Sequence, residues 1–218
     1  AARAGSAAPT AFSFPLTRTD TWITNGPVDR ITLSGNRLYL AGAFSSIGPF
    51  TGGFVAIDQN TGNYNTLFPQ VKGSINAIAP DGTGGWYIGG QFTSVGDVAS
   101  SNLAHINANM TVDPNWNPSV VRDPSYKGFQ IIETLAVQGT TIYVGGYFIS
   151  IGGQLRNRLA ALDATTGQPT SWNPDGNGGV LTLAVSGTTV YIGGGFTAVG
   201  GQSRMNLAAL DLTTGQPT

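Results

Sequence analysis

The hexapeptide Tyr191-Ile192-Gly193-Gly194-Gly195-Phe196 constrains this chain more than any other stretch, because it recurs. Variants stand at residues 39–44, 87–92 and 143–148, and the closing residues Phe44, Phe92, Phe148 and Phe196 are 48, 56 and 48 positions apart. A period near 50 residues is the mark of one supersecondary unit repeated, as in a β-propeller. Thr189-Val190-Tyr191-Ile192 is apolar on both faces, which suits a strand in a sheet sandwiched between two neighbours. The adjoining glycine pair predicts a bulge or a close approach of backbones.

The surrounding residues repeat in the same order. Strands are predicted at 28–33, 38–44, 54–58 and 63–68, then at 75–79, 86–92, 103–106 and one ending at Trp116-Asn117-Pro118. The third unit has 131–137, 141–148, 159–163 and one ending at Trp172-Asn173-Pro174, and the fourth has 180–185, 189–196 and 207–211. The expectation is an all-β chain: a β-propeller of four repeat units of about 48 residues, each a four-stranded blade. The blades would be 28–69, 75–118, 131–174 and 180–218, within a single domain 17–218 preceded by a leader or extension, 1–16. Units three and four are the closest pair, identical at 25 of 36 positions over 135–170 against 183–218.

The fourth unit ends without the residues that form the last strand elsewhere. After Thr213-Thr214-Gly215-Gln216-Pro217-Thr218 nothing matches Ser171-Trp172-Asn173-Pro174. The chain opens instead with a spare strand at 17–24, whose Thr21, Trp22 and Ile23 are placed to fill that gap. Three outcomes are open: the strand closes its own ring, it completes a neighbouring copy by strand addition, or further repeats lie elsewhere in a longer protein.

Composition excludes several functions. Charged residues are 10 % and the net charge is −1, so there is no basic face for nucleic acid. No apolar run is long enough to span a membrane. The absence of cysteine removes thiol catalysis and thiolate metal sites. The single histidine, His105, rules out a histidine pair, and Glu133 is the only glutamate. No nucleophile–base set is visible, and neither an enzyme activity nor a cofactor is expected. Few charges, many small polar residues and the start Ala1-Ala2-Arg3-Ala4-Gly5 point to a secreted or surface protein.

The repeat reads Tyr-(Val/Ile)-Gly-Gly-x-Phe, then Gly-Gly-Gln-x-Arg, then Leu-Ala-Ala-Leu-Asp-x-x-Thr-Gly, then Trp-Asn-Pro. Residues 143–148, 152–156, 159–167 and 172–174 carry it best, with 191–196, 200–204 and 207–215. Over 28–218 the chain resembles the delta-60-type repeats of uncharacterised β-propeller domains in large secreted or surface-attached bacterial proteins. More loosely it is similar to the propeller part of Rax2-type fungal cell-surface polarity proteins. The first unit departs from the pattern, with Ala41 and Ala43 in its motif and Phe68-Pro69 in place of Trp-Asn-Pro. The resemblance implies an extracellular, non-catalytic scaffold or adhesion role and no catalytic residues.

The candidate binding residues fall in two places. Asp29, Asn76, Glu133 and Leu181 align on the first strands, which line the central channel of a propeller. Two carboxylates and an amide there would suit a cation or water cluster, against the plainer reading of a solvated rim. The third unit is lengthened by residues 121–129, where Arg122, Tyr126 and Lys127 are useful contact residues on a scaffolded loop. The plainer reading is a tolerated insertion, removable over 123–127. Asp58, Asp163 and Asp211 read as turn residues rather than metal ligands, lacking the dense spacing of a calcium loop. The recurring Trp116, Trp172, Tyr143 and Tyr191 read as blade packing rather than a sugar platform. The expected function is a non-enzymatic extracellular structural or interaction module. Its partner would be itself, through strand exchange, or another surface protein. The alternative is a carbohydrate- or cell-wall-binding propeller.

Overall fold

The computed structural model describes residues 26–34, 37–44, 54–63, 68–128 and 131–218. Every regular element among them is a β-strand. Four antiparallel sheets succeed one another along the chain, each built from three consecutive main strands. They are Val28–Ser34, Arg37–Gly42 and Phe54–Asp58; then Val71–Pro80, Trp86–Val95 and Leu103–Ile106. The third and fourth are Ile132–Gln138, Thr141–Gly146 and Leu159–Asp163, and Val180–Ser186, Thr189–Gly194 and Leu207–Asp211. The repeated hexapeptide supplies the middle strand of each. First strands of successive sheets lie against one another, so the sheets radiate from a common inner line. The first and fourth sheets do not join into a closed ring among the described residues.

The two glycines of the motif do different jobs. A Cβ on Gly90, Gly146 or Gly194 would sit 2.1–2.2 Å from the carbonyl oxygen of Ser74, Ile131 or Gly179, in the adjoining first strand or just before it and beside the bulge there. A Cβ on Gly89 or Gly145 would instead strike the next sheet, at Ile132 or Val180. Both the bulge and the close approach are thus present, one per glycine.

Apolar cores fill the spaces between sheets. Tyr143, Leu159 and Ala161 of the third sheet meet Leu183, Val190, Ile192, Ala208 and Leu210 of the fourth. On its other face, Leu135, Ile142, Val144 and Leu162 meet Tyr87 and Leu103 of the second.

The fourth strands predicted for units two and three are not formed: only the isolated bridges Ile106–Val112 and Leu162–Pro169 stand in their place, and unit four, for which no such strand was predicted, has the matching bridge Leu210–Pro217. The fourth strand predicted for unit one, 63–68, lies largely outside the described residues. Proline has no N–H to extend a ladder, and Pro169 and Pro217 fall where the ladder would continue. In units two and three the segment beyond the bridge acts as a wedge. Trp116 and Trp172 are buried, and each lies against the turn of the next unit, where Gly167 and Gly215 leave room for the indole.

Candidate functional site

The inner line carries the aligned residues at its first-strand bulges. Asn76 is buried, and its Nδ2 donates to the Ile132 carbonyl at 3.0 Å, so the amide is engaged in tying the second sheet to the third. One step further round, the buried Thr134 Oγ1 accepts from the Leu183 N–H at 3.1 Å, tying the third sheet to the fourth. Glu133 is half-buried, and burial pushes its carboxyl up. The Arg30 guanidinium pulls it back down and the Asp29 carboxylate raises it further, so these three charged groups share one neighbourhood. Arg30 also donates to the Asp29 carbonyl at 2.9 Å. Leu181, at the fourth aligned position, adds an exposed apolar group.

The third unit's extension is more ordered than a tolerated insertion. Its first two residues, Val121 and Arg122, belong with Val120 to a strand that pairs with Phe148–Ile151. Asp123 is buried: one oxygen accepts from the Ser125 N–H at 2.8 Å, and the other is paired with Arg158. Burial alone would raise the Asp123 carboxyl, but the Ser125 hydrogen bonds and the Arg158 charge hold it below the usual aspartate value. Asp123 is therefore a pin, and a deletion beginning at 123 would leave the Arg158 guanidinium half-buried and unpaired. Tyr126 stacks on Tyr147 with ring centroids 3.5 Å apart and planes 6° from parallel. Burial raises the Tyr126 hydroxyl, with smaller contributions from Tyr147 and Glu133. Arg122 Nη1 donates to the Gly128 carbonyl at 3.3 Å, while Arg122, Pro124 and Lys127 stay exposed. Thr21, Trp22 and Ile23 lie outside the described residues.

The remaining candidates are spent on the scaffold. Asp58, Asp163 and Asp211 each cap their turn: Asp163 Oδ1 accepts from the Thr165 and Thr166 N–H groups at 3.0 and 2.7 Å, and Asp211 Oδ1 from Thr213 and Thr214 at 3.0 and 2.7 Å. In unit two, which lacks the turn glycine, Met110 takes the left-handed conformation at φ 66° instead. No cluster of three or more histidine and carboxylate groups suited to a metal occurs among the described residues. Tyr87 donates its hydroxyl to the Ala164 carbonyl at 2.8 Å and Tyr143 to that of Leu212 at 3.2 Å, each reaching the next unit.

One cluster escaped the sequence reading. His105 Nε2 is 3.0 Å from Asp81 Oδ2, its Nδ1 is 3.8 Å from Asp113 Oδ2, and its ring stacks on Tyr87. Burial raises the Asp81 carboxyl, but the His105 and Thr83 hydrogen bonds outweigh it and leave the group lowered. Burial pushes Tyr87 up to about 12, so it remains a hydrogen-bond donor. The available signal was His105 standing where units three and four have Ala161 and Ala209.

A β-propeller domain of unknown function, DUF5122, matches residues 141–167. No curated protein matches the chain. Among solved structures, the computationally designed Ika4 protein is 13 % identical, with a TM-score of 0.48, over 86 % of this chain and 92 % of that one. The GH74 enzyme of Niastella koreensis is 17 % identical, with a TM-score of 0.52, over 88 % of this chain. The chain spans 29 % of that enzyme's length, and at this identity the likeness is one of fold. The described residues are all-β and propeller-like, and one of the repeats carries the mark of a β-propeller domain whose function is unknown.

Proposed function

We propose that the chain is a non-enzymatic interaction or structural module, of the secreted delta-60-like kind, working at the cell exterior. The observation that carries this reading is the extension at residues 121–129, of which 121–128 are described. It is pinned by Asp123 and Arg158, braced by the Tyr126–Tyr147 stack, and leaves Arg122, Pro124 and Lys127 outward. A loop fixed at its base and free at its tip meets a partner without ordering cost. In four-bladed form, residues 17–24 would bring Trp22 before the first sheet as Trp172 stands before the fourth. The test is binding to a panel of intact cells and surface proteins. Arg122→Ala with Lys127→Ala should lower binding about tenfold, the order expected for removing interface charges, with the melting temperature unchanged. Equal binding by this variant sinks the loop as the contact.

A carbohydrate-binding reading draws on the same place. The buried tryptophans cannot serve as a sugar platform, but the Tyr126–Tyr147 pair beside Glu133 offers aromatic and carboxylate groups together. Retention on cell-wall polysaccharide that Tyr147→Ala abolishes would favour it. Polysaccharide hydrolysis that Glu133→Gln removes would overturn the non-enzymatic reading, since glycosidases work with paired carboxylates such as Asp29 and Glu133.

A further inference from the structure

Unit three departs from its neighbours at matching positions, and the departures gather around its extension. Tyr147, which stacks on Tyr126, stands where units two and four have Gln91 and Gly195. Arg158, which pairs with Asp123, stands where they have Asn102 and Asn206. Asn102, Arg158 and Asn206 are all left-handed, at φ 71°, 67° and 65°. Asparagine takes that conformation readily and arginine does not. Unit three therefore accepts backbone strain to bring a guanidinium to Asp123.

Two further departures do no such holding. Leu155 stands where the others have Ala99 and Ser203, and Val121 where unit two has Lys72. Val121 and Leu155 both pair with Ser150, one on each side, as Lys72 and Ala99 pair with Ser94. Directly opposed residues share a face of a sheet, so the two apolar side chains lie in one row across it. They are 47 % and 74 % exposed. The next residue after Val121 is Arg122, whose Nη1 donates to the Gly128 carbonyl and so reaches the residue beside Lys127. Both cations are exposed, and neither is in an ion pair among the described residues. Arg156 adds a third positive charge. It is buried, and its guanidinium donates to the Leu155 and Thr170 carbonyls, each at 2.7 Å, and to Gln154 Oε1 at 2.9 Å, all neutral acceptors. Among the described residues two carboxylates are hydrogen-bonded to this part of the unit: Asp123, answered by Arg158, and Asp175, which accepts from Asn157 at 2.7 Å. The surface has an apolar row and a positive balance of charge.

We propose that this surface docks an acidic polypeptide segment, with an aliphatic or aromatic side chain laid across Val121 and Leu155 and carboxylates against Arg122 and Lys127. The inference rests on the reading of the extension as the contact and names the partner's chemistry. Charge complementarity selects the occupant: cations without carboxylate partners, one of them buried among neutral acceptors, favour a negative partner, and arginine takes carboxylate in bidentate fashion. The apolar row selects a polypeptide among anions, because an acidic polysaccharide brings no apolar side chain to cover it. The chain's own remaining segments do not fit. Residues 1–24 carry Arg3 and Arg18 against the single carboxylate of Asp20, and residues 45–53, 64–67 and 129–130 carry no charge.

The test is selection of a displayed library of random peptides on the full chain. Enriched peptides should carry Asp or Glu around a Leu, Ile or Phe, and their binding should weaken as salt is raised and with Arg122→Ala/Lys127→Ala. Leu155→Ser, which installs the unit-four residue at an exposed position, should leave the melting temperature unchanged. It should lower peptide affinity about tenfold, the order of one aliphatic side chain losing its burial. Enrichment of neutral or basic peptides, no enrichment, or affinity indifferent to Leu155→Ser overturns the proposal. Failure of the loop itself reads differently. If Arg122→Ala/Lys127→Ala lowers binding to intact cells while no acidic peptide is enriched, the loop is the contact and its partner is not an acidic polypeptide. Retention on dextran sulfate, or on phosphatidylglycerol vesicles, that the same variant loses then assigns an anionic polysaccharide or a membrane in its place. If acidic peptides bind as expected while cell binding ignores the two alanines, the surface takes such segments and the contact with the cell lies elsewhere.

Discussion

Units three and four share 25 of 36 aligned residues, yet the same side chains live in different surroundings. Tyr143 is 4 % exposed and Tyr191 is 47 % exposed; Leu159 is fully buried and Leu207 lies open. Their sheets have the same strand order and register. The difference is whether another sheet comes next. In a repeat array a residue's energetic weight is set less by its own unit than by the neighbour that covers it, as expected when stability is a sum of unit and interface contributions.

Paired substitutions break this comparison most directly. Leu159→Ala opens a cavity between sheets three and four and should cost about 2–5 kcal/mol. Leu207→Ala, in the identical local sequence, should cost less than about 0.5 kcal/mol in the single chain, as exposed changes usually do. Chemical denaturation of both variants measures the difference. Equal losses would mean that the Leu207 face of unit four is covered in solution. The glycines give a smaller version of the same contrast. A methyl at Gly145 would stand 2.8 Å from Val180 of the following sheet and 2.7 Å from Thr134, whereas one at Gly193 meets Thr182 of its own sheet at 3.0 Å and the Asn206 carbonyl at 3.7 Å. Gly145→Ala should therefore cost about 1–3 kcal/mol through overpacking, and Gly193→Ala clearly less. Thermal melts of the two variants side by side decide it.

Repetition made the sheets legible. The tyrosine, the glycine pair and the turn aspartates each recur, and each has a local cause visible in its neighbours. The turn Asp163-Ala164-Thr165-Thr166-Gly167 could be read as a capped turn from its residues alone, and Asp163 caps it. The outer strands were not legible, because Trp172-Asn173-Pro174 looks like the end of a strand while its role, filling the space over Gly215, belongs to the next unit. The same limit hid Asp123: nothing near it in sequence announces Arg158, which lies 35 residues on and takes a left-handed backbone conformation at φ 67°. His105 likewise joins Asp81 across 24 residues. Contacts between units and over long sequence distances were the ones that the sequence left unwritten.

The smallest expected effect separates the pinned extension from the turn that caps unit four. Both contain an aspartate whose carboxyl is held below its ordinary value, but by different means. Asp211 owes this to hydrogen bonds from Thr214 and Thr213 at the surface. Asp123 is buried, which by itself raises its carboxyl, and it is carried back down by Ser125 and by the Arg158 charge. A group whose folded value is depressed adds stability above its unfolded value, about 3.9 for aspartate, and loses it as pH falls through the lower folded value. Both contributions should therefore be complete at neutral pH and fade below about pH 4. They part on the ion pair: the Arg158 charge supplies part of what holds Asp123, whereas hydrogen bonds from Thr214 and Thr213 hold Asp211. Acid titration followed by tyrosine fluorescence of the Tyr126–Tyr147 stack should show the extension loosening in that acid range, and Arg158→Gln should move the midpoint up towards the ordinary aspartate value. Asp211→Asn should leave that transition where it is. A midpoint unmoved by Arg158→Gln would show that the Ser125 hydrogen bonds, and not the ion pair, fix the base of the loop.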